Sequence, residues 1–173
     1  MAHFYETLPA AIRALNDAEA IDAFLAGGEI PGRAIAGLSD HQLDAMPMAG
    51  TWSIRQIVVH LMDSDLVAAY RMKRMIAEER PLLDCYDETA FSKKLFYERQ
   101  SATEACEVIR RSRQLMAMIL RQLPAGAFER AARHPEIGEV RLGQIVRLYV
   151  HHIHHHVAFI MKKRELLGVP ISL

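Results

Sequence analysis

The sequence predicts an all-α protein built as a helix bundle. Three observations carry that expectation. Apolar residues recur at helical spacing over several long stretches, whereas alternating apolar–polar runs of useful length are nearly absent. Serines stand at two helix starts with a glutamine or glutamate three residues on. At 173 residues, 51% hydrophobic and 24% charged, the chain has the size and balance of one globular domain spanning residues 1–173, with no internal repeat or low-complexity tract to divide it.

The elements follow in order. A first helix is expected from about Asp17 or earlier to about Leu25, stopping at Gly27-Gly28. A second piece follows Pro31 and carries Ile35 and Leu38; Ser39, Asp40 and Asp44 then mark a short turn or helix ending near Pro47. Ser53 gives the clearest start signal. Gln56 lies three residues later, so the serine hydroxyl can accept from the Gln56 amide while the glutamine reaches back to the serine amide. The helix it opens carries Ile57, Leu61, Ser64, Ala68 and Met72 along one stripe and ends near Glu79, before Pro81. A loop from Pro81 to about Asp87 leads to a short helical segment through Phe91 and Leu95. Ser101 and Glu104 form a second capping box, and that helix runs past Ile109, Met116 and Leu120 to Pro124. The segment Ala125 to Glu139 holds Pro135 and two glycines and reads as a connecting loop. The last helix runs from about Leu142 to Leu167, with Gly168 and Pro170 as stop signals.

Composition excludes several functions. Lys plus Arg and Asp plus Glu are 21 each, so no excess positive charge is available for a nucleic-acid backbone. No apolar run approaches the roughly 18–20 residues that cross a bilayer. The stretch Met1 to Asn16 lacks the basic-then-apolar order of a secretion signal, which points to a cytoplasmic protein. The two cysteines, Cys85 and Cys106, make no disulfide framework and lack zinc-knuckle spacing; both read as small apolar residues.

Histidine is the unusual component: nine in all, five of them between His151 and His156. On a helical wheel with Ile145 at zero, Tyr149, Ile160, Ile153 and Val157 fall between about +40° and +120° and define the buried face. His156 and His152 fall near +20° and −20°, at the edge of that face, while His151, His154 and His155 point mostly to solvent. Imidazoles four residues apart can both reach one ion, so His152 and His156 could chelate a metal. His60 also lies on the inward stripe of its own helix, beside Ile57, Leu61 and Ser64. Two helices turning histidines toward a shared interior could supply three nitrogens and leave a position open for water or substrate. The alternative is a packed core in which His60 hydrogen-bonds to a carboxylate or to Tyr149.

The stretch Thr51-Trp52-Ser53-Ile54-Arg55-Gln56-Ile57-Val58-Val59-His60-Leu61-Met62-Asp63 resembles a signature of the DinB-like superfamily. Arg133-His134-Pro135-Glu136-Ile137-Gly138, then Leu142 and His152-x-x-x-His156, resembles another. Arg71 to Pro81 and Tyr86-Asp87 fall in keeping, and the likeness covers roughly residues 30–160. The resemblance implies a four-helix up-down-down-up bundle, commonly a homodimer, with a divalent metal on His60, His152 and His156. The chain departs from the family where Ile153 follows the first C-terminal histidine, a place often held by a polar residue, so another group would have to orient that ring. Activities associated with such proteins are thiol-dependent transfer or isomerisation, using a low-molecular-weight thiol, and metal-dependent hydrolysis.

Three neutral ligands would leave an ion its full charge, able to activate a water for hydrolysis or to hold a thiol as thiolate. Imidazole suits zinc, nickel, iron or copper, with zinc as the working choice. Asp63, one turn beyond His60, is a candidate proton acceptor or support, or else a helix-surface carboxylate. Arg71, on the same side as His60, is a candidate anchor for an anionic group of a small-molecule substrate, or else an ion-pair partner of a neighbouring helix. Trp52 reads as a staple or core anchor. Two other classes remain: a non-catalytic metal-binding or stress-response interaction module, and a structural bundle whose histidines are satisfied in the core.

Overall fold

Five of the eight α-helices among the described residues begin where a short polar side chain takes up a free backbone amide. The computed structural model describes residues 4–173, so the first three residues of the N-terminal stretch lie outside the described residues. A 3-10 turn, Phe4–Thr7, is followed by α1 (Ala10–Arg13) and α2 (Asp17–Gly27). Asn16 caps α2 in a complete box with Glu19, and Ser39 with Gln42 does the same for α4 (Asp40–Asp44), which follows α3 (Ile30–Ile35). α5 (Ile54–Ala77) starts at the expected box: Gln56 Oε1 accepts from the Ser53 amide at 2.9 Å, and Ser53 Oγ accepts from the Gln56 amide at 3.2 Å. Asp87 caps α6 (Glu88–Lys94). At α7 (Ala102–Leu120) the Ser101 hydroxyl accepts from the Glu104 amide, so the serine half of that box is formed. α8 spans Leu142–Leu166.

Four of these helices make the bundle. α5 packs against α7 and α8, and α2 packs against the same two. Consecutive long helices α2 and α5 therefore sit across one diagonal, and α7 and α8 across the other. This differs from a simple up-and-down bundle, in which sequence neighbours are also spatial neighbours. Apolar stripes meet in two clusters. One gathers Phe24, Met72, Met116, Leu120, Ile145 and Val150; the other gathers Ile54, Leu61, Tyr97, Ile109, Ile153 and Ile160. No helix among the described residues is long and apolar enough to cross a membrane.

An ion pair is buried in the bundle. Asp65 on α5 takes two bonds from Arg113 on α7, at 2.5 and 2.8 Å, and both side chains are essentially without solvent. Arg113 also donates to the carbonyls of Phe24 and Tyr149, so its charge is satisfied from three helices. Gly27 makes room for it: a Cβ there would come within 2.5 Å of an Arg113 nitrogen.

One expectation is corrected. Residues 125–139 are not simply a loop, because Ala131–His134 (β1) pairs antiparallel with Gly138–Arg141 (β2). The turn between them closes with Gly138 at φ 80°, a left-handed conformation that glycine adopts without Cβ strain. The strands are too short to show an alternating pattern. The hairpin is further held from outside, since the Leu83 amide donates to the Arg133 carbonyl and the Arg133 amide to the Pro81 carbonyl. That pairing brings the loop after α5 alongside β1.

Candidate metal centre

His60 is delivered by the second turn of α5, and His152 and His156 by successive turns of α8. Ring centroids stand 5.4 Å apart for His60–His152, 4.7 Å for His60–His156 and 4.6 Å for His152–His156. One ring nitrogen from each lies within 4.8 Å of the others. Zinc–imidazole bonds of about 2.0–2.1 Å place donors about 3.3 Å apart in a tetrahedral site, so small ring movements suffice to close on one ion.

The electrostatics suit ligands. His60 has no exposed surface, and neither of its ring nitrogens has a hydrogen-bond partner among the described residues; His152 Nδ1 is likewise buried and unpartnered. A core histidine kept for structure would have those atoms satisfied. Burial lowers the pKa of His60 to about 4. Burial, then the neighbouring imidazoles, lower His152 to about 2 and His156 to about 3. All three rings are therefore neutral at pH 7, the form that binds a metal. The Trp52 ring closes one side, 4.8 Å from His60, so it serves the histidine as a wall as well as packing in the core. No side chain among the described residues bonds His152 Nδ1; the Tyr149 ring packs near that imidazole instead, at 5.7 Å.

A cavity of about 260 Å³ opens beside the histidines, lined by His152 together with Ser64, Arg71, Tyr86, Tyr149 and residues of the loop and hairpin. Larger depressions of about 440 and 470 Å³ lie elsewhere on the surface, and none of the three histidines lines them.

The DinB superfamily's sequence model matches residues 33–160. The chain belongs to the DinB superfamily. A relative from Oceanobacillus iheyensis, provisionally named a metal-dependent hydrolase, is 32% identical over 127 residues, 73% of each chain. YfiT of Bacillus subtilis, provisionally named in the same way, is 31% identical over 144 residues, 81% of each chain. The solved structure of YfiT, described as having an unusual four-helix bundle topology, superposes with a TM-score of 0.84 at 27% identity, covering 94% of this chain and 91% of that one. A mycothiol-dependent maleylpyruvate isomerase shares the fold at a TM-score of 0.68 and 10% identity, covering 85% of this chain and 61% of that one.

In this DinB-superfamily chain the other candidates separate. Arg71 is buried and lines the cavity, donating to the Asp84 carbonyl through Nε and Nη2 and to the Tyr149 hydroxyl at 3.3 Å. Asp63 does not line it; its carboxylate accepts a 2.6 Å bond from the Tyr97 hydroxyl. Cys106 is buried, and burial pushes its thiol pKa up to about 12. Cys85 corrects its reading as a small apolar residue: it is exposed and lines the cavity, with Sγ 3.9 and 3.8 Å from the two ring nitrogens of His134. Near-equal distances mean the sulfur is aimed at neither nitrogen lone pair, so the pair is a contact and not a formed dyad. Tyr86, Glu88, His134 and Glu136 complete the wall, and sequence reasoning did not single them out as site residues. The quoted Tyr86-Asp87 and His134-Pro135 stretches were the available signal.

Proposed function

We propose that this chain is a divalent-metal-dependent enzyme of hydrolytic or thiol-dependent transfer chemistry, with His60, His152 and His156 as ligands and zinc as the first candidate ion, nickel or iron as others. The observation that carries the reading is His60: two buried, unpartnered ring nitrogens facing two further neutral imidazoles beside a cavity. The names given to the relatives from O. iheyensis and B. subtilis support it. An ion held there supplies Lewis acidity, which activates a water or a thiol as nucleophile at neutral pH.

The chain's own residues provide the rest. The α8 histidines and His60 fix the ligands on two rigid helices. Trp52 and the second apolar cluster shield one side from solvent. Arg71 presents positive charge at the cavity wall, where an anionic substrate group can be oriented. A non-catalytic binding module would need no such cavity.

The test is elemental analysis of protein purified without a metal-affinity column. One divalent ion per chain is expected, lost in His60→Ala and kept in His154→Ala. Full metal in His60→Ala defeats the ligand set. Turnover of an ester panel or of a thiol-conjugation panel by the loaded protein, abolished by chelation, is the second expected result. Inactivity on both would favour the binding module.

A further inference from the structure

We infer that the cavity beside the three histidines contains a carboxylate subsite, built by the Arg71 guanidinium and the Tyr86 hydroxyl, so that the substrate is a small monocarboxylic acid derivative. The inference rests on the reading of that cavity as the place of reaction and adds the class of molecule it takes.

Arg71 is 8% exposed, yet no carboxylate lies within ion-pair distance of it among the described residues. Other buried arginines are treated differently. Arg55 meets Asp40 and Asp44, Arg113 meets Asp65, and Arg147 meets Asp17. Arg164 also lacks a carboxylate, but its bonds go to the carbonyls of Ala34, Ala36 and Val169, and it does not line the cavity. Arg71 does line it. Three of its N–H groups are used, two on the Asp84 carbonyl and one on the Tyr149 hydroxyl. A guanidinium carries five, so two remain for a ligand. The bonds already made hold the plane of the fork, which lowers the entropy lost when a carboxylate docks.

Tyr86 supplies the second observation. Its hydroxyl oxygen is buried and makes no hydrogen bond of normal geometry, although Ser64 lies close enough to offset part of the upward pKa shift that burial causes. A buried hydroxyl left unpaired is a cost to the fold that a ligand can remove. The unpartnered buried atoms among the described residues are those of His60, His152 and Tyr86, and Tyr86 shares the cavity wall with His152. Burial keeps the phenol protonated, so it is a donor. Its proton and the free edge of Arg71 are complementary to the lone pairs of one carboxylate.

The rim sets the charge. Glu88 and Glu136 both line the cavity; burial and then Glu136 raise the pKa of Glu88, while the Arg71 charge lowers it. They oppose any second negative charge. A planar monoanion is therefore favoured over a phosphate or a dicarboxylate.

The test is an NMR titration of the full chain, metal-free and metal-loaded, with butyrate, with butyramide as its uncharged match, and with inorganic phosphate. Butyrate should bind in both states, at least about tenfold more tightly than the other two probes. Tyr86→Phe should weaken butyrate about tenfold, the worth of one bond to a charged group, without lowering Tm. Arg71→Met should abolish binding; if that variant fails to fold, Tyr86→Phe still decides. Equal binding of butyramide, butyrate affinity unchanged in Tyr86→Phe, or butyrate binding only when the ion is present would each overturn the subsite. Because the metal-free arm is read directly, a protein that binds no ion and turns nothing over still gives an answer here.

Discussion

On the proposed reading, His60 is worth more to function than to stability. Its ring sits without solvent and without a hydrogen bond, an arrangement that costs the fold and that the proposed ion would relieve. Trp52 reports on that ring. It is the one tryptophan of the sequence, and its indole lies 4.8 Å from the His60 imidazole. A paramagnetic ion such as Ni²⁺ or Cu²⁺ bound to His60 should therefore quench most of the intrinsic tryptophan emission. Titration of metal-free protein should saturate at one equivalent, and His60→Ala should remove the saturable phase. Quenching that grows without saturation, or survives in His60→Ala, would show the ion sitting elsewhere. His154 provides the internal control, since it is exposed on α8 and its loss should leave the titration unchanged.

At the scale of elements, the bundle depends on a contact that no local pattern announces. Asp65 on α5 and Arg113 on α7 are 48 residues apart, and each reads alone as an ordinary polar residue of a helix. Removing the carboxylate strands a guanidinium with no exposed surface. Asp65→Ala should therefore destabilise the chain by about 3–5 kcal/mol, measured by urea unfolding; a loss below about 1 kcal/mol would mean the pair behaves as a surface salt bridge. The same distinction explains what the sequence disclosed. α5 and α8 were legible because caps, stop residues and a long apolar stripe are local signals, and the wheel placed His60, His152 and His156 inward for the same reason. The β1–β2 hairpin was not legible. Its four-residue strands carry no period of their own, and their position depends on backbone bonds to Pro81 and Leu83. Cys85, Tyr86 and Glu136 reach the cavity through that pairing, so their part in the wall appears only once the fold is known. Arg71, by contrast, sits on α5, and its side of the helix could be read in advance.

Across the whole molecule, the proposed site would couple metal, pH and stability through the three histidines. In the metal-free protein their pKa values are lowered from 6.5 to about 4, 2 and 3. A group whose folded pKa is depressed binds its proton more readily in the unfolded chain. Stability from these rings is therefore complete above pH 6.5 and is lost as pH falls toward 4 and below. Within that window the unfolded chain binds up to three protons that the folded chain refuses, a slope of up to about 4 kcal/mol per pH unit. An ion on the proposed site would stabilise the fold by tying α5 to α8, by about 2.7 kcal/mol at one hundred times its dissociation constant. Protons compete with it, so that gain should shrink over the same range. Thermal unfolding of chelator-treated and loaded protein between pH 7.5 and 4.5 tests both statements. At pH 7.5 the loaded form should melt higher, and both forms should fall steeply below about pH 6. His60→Ala should show no gain from the ion and a slope shallower by about 1.4 kcal/mol per pH unit, one proton fewer. An unchanged slope in His60→Ala would mean that this imidazole is not held neutral by burial, and the case for a three-nitrogen site would lose its electrostatic half.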